Sequence, residues 1–175
     1  MPQIPRLKAV TLVTDGACRG NPGPGGYGVI LKYGPHRREL SGGFAGTTNN
    51  RMEMMAVIVG LSSLKERCRV RVVTDSKYVV NGIQKGWAKA WKARGWRRRN
   101  GEPALNVDLW QRMLELCAKH RVSFAWVRGH AGHSDNEHCD ALAVSAAAGP
   151  NLPPDIRRRV FSETADPAPT SRGRV

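Results

Sequence analysis

The chain has 175 residues, of which 41% are hydrophobic and 24% charged, the size and balance of one globular domain with its own core. Its 28 Lys and Arg against 14 Asp and Glu leave a net charge of +14, more than solubility asks for. That surplus points to a polyanionic partner, nucleic acid ahead of an anionic membrane surface, and no run is apolar enough for a membrane span.

Met1 to Leu7 carry no apolar h-region of a signal peptide and read as a loose arm. A strand follows at about Lys8–Thr14, rich in β-branched residues and stopping at Asp15. The next stretch, Gly16 to Gly28, holds six glycines in thirteen residues. Its spacing is neither a P-loop nor a dinucleotide fingerprint. It reads either as a tight connection or as a place where small residues let a nucleic-acid backbone come close. Tyr27–Tyr33 and Arg37–Gly43 form a hairpin across Gly34-Pro35. A helix is expected from Asn49 to about Arg67, with Thr48 or Asn49 as N-cap and an apolar face of Met52, Met55, Ala56, Val59 and Leu64. Glu53 has Ala56, Val57, Leu61 and Leu64 as its helical neighbours. It is either a carboxylate aimed at a core edge, which needs a charged partner, or an exposed first-turn glutamate favoured by the helix dipole.

The second strand, about Arg69–Thr74, repeats the ending of the first: Val-Thr-Asp closes both, at Asp15 and at Asp75. Ser76 caps a helix to about Gln84. Lys85 to Arg99 then packs seven basic residues and no acid into fifteen positions, interleaved with Trp87, Trp91 and Trp96. Cationic groups contact phosphates and indoles stack on sugars or bases, so this segment reads as a nucleic-acid platform, with Trp87 the tryptophan expected to pack inward. Asn106–His120 is an amphipathic helix, Val122–Val127 a last strand with Trp126 buried, and about Asp135–Ala148 a final helix that begins at Ser134 and carries Glu137 and Asp140. From Gly149 to Val175 apolar periodicity is gone, and a tail without regular structure is expected, its Arg157, Arg158 and Arg159 adding at most weak phosphate affinity. The domain is thus expected over residues 1–148 and the tail over 149–175.

The element order β-β-β-α-β-α-α-α-β-α predicts an α/β fold. Three antiparallel strands form a meander, and two more, reached by helical crossovers, lie parallel to the first in a mixed five-stranded sheet with helices on both faces. If the two Val-Thr-Asp strands are parallel neighbours, Asp15 and Asp75 emerge together at the C-terminal sheet edge, where such folds place their sites. Two carboxylates side by side repel unless a cation lies between them, and hard divalent cations select carboxylate ligands. With Glu53 and Asp140 the set would bring four negative charges to two Mg²⁺ ions, which hydrolyse phosphodiesters when about 3.5–4 Å apart. His130, His133, His138 and Cys139 lie within ten residues, but their spacing matches no common structural zinc site. The four cysteines form no Cys-x-x-Cys pair and suit free thiols in a reducing cytoplasm.

Asp15-Gly with its glycine-rich run, Thr47-Thr-Asn-Asn-Arg-Met-Glu53, Thr74-Asp-Ser-Lys-Tyr78 and Gly129-His-Ala-Gly-His-Ser-Asp-Asn-Glu-His-Cys-Asp140, in this order over about residues 8–148, closely resemble bacterial-type ribonuclease HI, the type 1 ribonucleases H. The resemblance implies a ribonuclease H fold and endonucleolytic cleavage of the RNA strand of RNA–DNA hybrids, leaving 5′-phosphate and 3′-hydroxyl ends. It implies that Asp15, Glu53, Asp75 and Asp140 bind two Mg²⁺ ions, with Mn²⁺ as a substitute, and that His130 assists proton transfer or product release. By position, Trp87, Lys89, Trp91, Lys92, Arg94, Trp96, Arg97, Arg98 and Arg99 match the basic protrusion that grips the DNA strand. Thr48 matches a DNA-phosphate pocket, and Cys18, Asn21 and Asn49 match residues lining the minor groove. Lys77 departs from the glutamine of well-known relatives and would trade a base-edge contact for a phosphate contact. A cytoplasmic monomer with no membrane association and no obligate protein partner is expected. The alternatives are a non-catalytic hybrid-binding module, which lost carboxylates would favour and none is lost, and a recombinase or transposase of the same fold, which Glu53 in the first helix disfavours.

Overall fold

The structure, a computed structural model, describes residues 5–157; the first four residues and those beyond 157, Arg158 and Arg159 among them, lie outside the described residues. Three strands open the chain: β1 (Lys8–Cys18), β2 (Gly23–Tyr33) and β3 (His36–Thr47). Helix α1 (Asn49–Ser62) leads to β4 (Cys68–Thr74). Then come α2 (Lys77–Gln84), α3 (Trp87–Ala93) and α4 (Val107–Lys119), β5 (Arg121–Trp126) and α5 (Ser134–Ala147). The strands stand in the order β3-β2-β1-β4-β5, with β1, β2 and β3 antiparallel and β4 and β5 parallel to β1, as the element order predicts.

Side-chain alternation along the strands assigns the two faces. Val10 and Leu12 of β1 and Val70 and Val72 of β4 pack with α1, α2 and α4 in the main core. Val13, Ile30 and Val73, one residue out of phase, form a smaller core with Cys139 of α5. Each fully buried aliphatic side chain of this kind contributes about 1.5–3 kcal/mol, and the alternation makes a one-residue slip of register prohibitive. The same phase carries Asp15 and Asp75, two residues past Val13 and Val73, toward the α5 side.

Several boundaries differ from those expected. β1 runs on to Cys18, and most of the glycine-rich stretch is strand: Gly16 pairs with Tyr27, Ala17 with Gly26 and Cys18 with Gly25. Glycine gives up side-chain packing but keeps its backbone donors and acceptors, so the ladder continues. Helix α1 ends at Ser62, and Ser63 closes it by donating its N–H to Val59 O and its hydroxyl to Gly60 O. It is buried almost all round, with Met54, Val57, Ile58 and Leu61 enclosed while Met55 and Val59 are only partly so, because it lies between the sheet and α4. Trp126, expected to be buried, is 44% exposed. It sits on an edge strand, where its indole N–H donates to Asp75 O at 2.9 Å and the Lys77 ammonium stands 4.8 Å from its ring.

The first part of the expected tail has no regular structure but packs onto the domain. Pro153 O accepts from Ala45 N at 2.9 Å, and the side chain of Asp155 is 3% exposed. Asp155 accepts from Arg51 Nε at 2.6 Å and from Thr47 Oγ1 at 2.7 Å. Arg51 is itself 1% exposed and pairs through its two terminal nitrogens with Asp108 at 2.9 and 2.8 Å. A buried guanidinium needs such partners, and supplying the second carboxylate orders the chain out to residue 155.

Replacing Arg51 by Ala leaves two carboxylates facing each other without a cation, and should cost about 3–5 kcal/mol in urea unfolding. Burial raises the Asp155 carboxyl, but Arg51 and Thr47 outweigh it and hold the group below the usual carboxylate range. A lowered folded-state pKa stabilises above the unfolded value and is lost as pH falls through the folded one. Asp155→Asn should therefore be less stable than the wild type at neutral pH, with the difference shrinking as pH falls below the ordinary carboxylate value of about 3.9; a constant difference across that range would refute the tie.

Candidate active site

Three carboxylates from three elements meet at one end of the sheet. Asp15 lies within β1, Asp75 follows β4, and Glu53 comes from the first turns of α1. One ligand oxygen of each lies within 4.8 Å of the others. Glu53 arrives because Gly16 faces α1 with no side chain: a Cβ there would lie 2.5 Å from Glu53 N. Thr48 starts α1 by accepting from Arg51 N, which sets the turn that carries Glu53. Of the two sequence readings of Glu53, the buried one holds, and its Oε2 has no hydrogen-bond partner among the described residues.

The electrostatics call for a cation. Burial, then repulsion from Asp75, raises the Asp15 carboxyl to about 7, although Gly16 N donates to its Oδ1 at 2.8 Å. Burial, then Asp15 and Asp75, pushes Glu53 well above the usual range, and burial raises Asp75. Clustered oxygen donors with an unpartnered buried oxygen fit a hard divalent cation, whose charge replaces the missing partner.

Asp140 on α5 is outside this triplet but close enough for its charge to raise both Asp15 and Asp75. α5 is brought near by Gly28, where a Cβ would lie 2.2 Å from Cys139 O. The loop between β5 and α5 covers Asp75, since a Cβ on Gly129 would lie 2.5 Å from Asp75 Oδ2. His130 follows in the left-handed region at φ 53°, exposed, its charge helping to lower the Asp75 carboxyl. The zinc alternative has no support among the described residues. α5 begins at Ser134 as expected, and His133 caps it by accepting from Asn136 N; His138 pairs with Glu39, and the Cys139 thiol donates to Val13 O.

Beside the carboxylates the structure gathers the residues matched to nucleic-acid contacts. Asn21 Oδ1 accepts from Asn49 N at 3.2 Å, next to the Thr48 cap, and the Cys18 thiol reaches Gly23 O and Thr47 O. A cavity of about 780 Å³ joins Asn21 and Thr48 to Trp96 and Arg97, and adds Asn106 and Arg157. Sequence reading missed Asn106, whose signal is an Asn directly before a helix: its φ of 57° aims the side chain at Arg51 and Tyr78. A second cavity of about 590 Å³ joins Trp87 and Trp91 to Lys85, Arg94, Arg98 and Arg99. Lys89 and Lys92 are exposed on α3. The inward tryptophans are Trp91, edge-on to Trp110 at 6.1 Å, and Trp96, both packed against the main core, whereas Trp87 is 39% exposed. Ala88 takes the buried position on this short helix.

The chain is similar to known proteins over most of its length. The RNase H family model matches residues 7–148. The ribonuclease H of Desulforamulus reducens is 64% identical over 155 residues, 89% of this chain and 98% of its own. That of Rippkaea orientalis is 61% identical over 148 residues, 85% and 91% of the two chains. The crystal structure of LC9-RNase H1, described as a type 1 RNase H with the type 2 active-site motif, superposes with a TM-score of 0.73 at 38% identity, over 83% of this chain and 74% of that one.

A carboxylate with a raised folded-state pKa stabilises below its unfolded value and loses that contribution as pH rises through the folded one. In EDTA the urea midpoint should therefore fall from about pH 4 to about pH 7. Mg²⁺ should restore it at neutral pH, and Asp15→Asn should flatten it. A midpoint indifferent to Mg²⁺ and to the substitution would contradict the site.

Proposed function

The chain belongs to the ribonuclease H family, and from that premise we propose that it hydrolyses the RNA strand of RNA–DNA hybrids, leaving 5′-phosphate and 3′-hydroxyl ends. The observation that carries this reading is the convergence of Asp15, Glu53 and Asp75 with an unpartnered buried Glu53 oxygen. Intact carboxylates favour hydrolysis over a module that only binds hybrid.

Asp15, Glu53, Asp75 and Asp140 would hold two Mg²⁺ ions, or Mn²⁺ in their place. Bound divalent cations supply an acidified water and charge stabilisation at the scissile phosphate. The chain's own groups do the rest. The buried carboxylates fix the place at the sheet edge where positive charge would sit, and with it the place of the reacting phosphate. His130, exposed beside Asp75, holds or passes a proton at the departing 3′-oxygen and frees the product as its loop moves. Cys18, Asn21 and Asn49 meet the minor groove, where the 2′-hydroxyl separates RNA from DNA. The Thr48 hydroxyl, which accepts from Arg51 N, keeps its own proton to donate to a DNA phosphate. Trp87, Lys89, Trp91, Lys92, Arg94, Trp96, Arg97, Arg98 and Arg99 grip the DNA strand, and Lys77, beside Trp126, adds a phosphate contact near Asp75. No helix among the described residues is long and apolar enough to cross a membrane. A cytoplasmic monomer without an obligate protein partner completes the reading.

In Mg²⁺ an end-labelled hybrid should be cut only in its RNA strand, while single-stranded RNA, duplex RNA and duplex DNA stay intact. Asp75→Asn should abolish turnover and spare hybrid binding, since it removes a metal ligand together with a repulsive charge. Persistent cleavage by that variant would sink the assignment. His130→Ala should slow turnover without stopping it, and an unchanged rate would remove its role. Neutralising Arg97, Arg98 and Arg99 should flatten the salt dependence of binding by up to about one unit per lost phosphate contact.

A further inference from the structure

A second concentration of positive charge lies away from the carboxylates and the tryptophan segment. α5 covers its sheet face over β1, β2 and β3 and reaches β4 and β5 only at their C-terminal ends, where Val73 and Ala125 join the Cys139 cluster; among the described residues the N-terminal half of β4 and β5 has no helix over that face. Strand alternation then decides what is displayed there. Val70 and Val72 are turned into the main core, so Arg69 and Arg71 stand on the opposite, α5 side, and both are exposed. On β5, Arg121 and Ser123 share that side, opposite the buried Phe124. Arg69 is directly opposite Arg121, and Arg71 opposite Ser123 on one side and Thr11 on the other. Arg67 and Lys119 are exposed just before the starts of β4 and β5. Burial, and then the charges of Lys119 and Arg67, lower the His120 pKa at this end, a sign of the positive field there.

Like charges directly opposite on a sheet are unfavourable. A fold commonly meets them with an interleaved acid, yet among the described residues Arg69, Arg71 and Arg121 form no ion pair and no side-chain hydrogen bond. The acid nearest in sequence, Glu66, is engaged by Lys8. Neighbouring strands lie about 4.8 Å apart, and same-face residues along a strand about 6.6 Å, so the three arginines are rooted close together on one face. Their forked donors suit phosphate oxygens. Thr11 and Ser123 between them offer no apolar pocket that would anchor a peptide side chain. Arg71 and Arg69 precede Asp75 by four and six residues on one strand, about 13 and 20 Å, so the surface is separate from the carboxylate cluster.

We propose that the exposed β4–β5 face, through Arg69, Arg71 and Arg121, is a second nucleic-acid site that holds the phosphate backbone of a duplex other than the one at the carboxylates. Recognition there is sequence-independent and does not depend on cleavage. A second hold of this kind keeps the protein on a nucleic acid while the first site changes segments.

The test uses the full chain carrying Asp75→Asn, with a short RNA–DNA hybrid and a short DNA duplex bearing different fluorophores. Energy transfer between the two labels should report a ternary complex. Adding Arg69→Gln, Arg71→Gln and Arg121→Gln should abolish it, leave the affinity for hybrid alone unchanged, and flatten the salt slope of duplex binding by up to about three units. The corresponding triple Lys variant should keep the ternary complex, and thermal melts of both variants verify folding. Absence of a ternary complex in the parent, its persistence in the Gln variant, or competition by polyglutamate but not by further duplex would overturn the proposal. DNA bound at this face by a chain that binds no hybrid would sink the proposed activity and leave this site standing.

Discussion

How closely two helices can approach the first hairpin decides whether this fold has a site at all. α1 comes down onto β1 at Gly16 and α5 onto β2 at Gly28, at separations that leave no room for a methyl group. The first contact delivers Glu53 to Asp15; the second delivers Asp140 to the same side of the sheet as Asp15 and Asp75. A side chain at either glycine would push a helix outward and part the carboxylates. The glycine-rich stretch is therefore chiefly a packing surface, continuous with the strands and serving catalysis from beneath.

The carboxylates pay for this proximity in electrostatic energy. With Asp15 raised to about 7 and Glu53 well above the usual carboxylate range, the site is strained without a cation, and a divalent ion is the natural counter-charge. The charge of the chain is distributed accordingly. Three carboxylates meet where metal is wanted, with Asp140 near them, and cations lie on α3 and its following loop, around Thr48 and Asn106, and on the β4–β5 face. A substrate that carries its own negative charge can approach the acidic centre because basic ground surrounds it.

Where expectation and structure part, the cause is a neighbour that sequence distance conceals. Periodicity gives α1 one apolar face, yet α4 packs on its other side, so Met54 and Ile58 are buried too. Trp126 has the composition of a core residue but falls on an edge strand, where Lys77 and the backbone of Asp75 claim it. Trp91 is taken inward by Trp110, from a helix sixteen residues further on, which leaves Trp87 outside. The chain beyond Gly149 lacks any periodic signal, but a single buried Arg51 recruits Asp155 and orders it. The capping role of His133 depends on one backbone N–H and had no signature beyond position.

Strand and helix order, the parallel placement of the two Val-Thr-Asp strands and the carboxylates that follow them were determined by the sequence itself, because alternation, glycine and proline punctuation, and the right-handed crossover rule act locally or through topology alone. The segregation of basic and tryptophan residues between Lys85 and Arg99 was equally local. Only the tertiary structure decided the raised pKa values of the carboxylates, the choice between the two readings of Glu53, the ion-pair anchorage of residue 155, and the arginines left uncovered beside α5. Each of these depends on burial and on charges brought together from distant parts of the chain, and both are properties of the packed molecule.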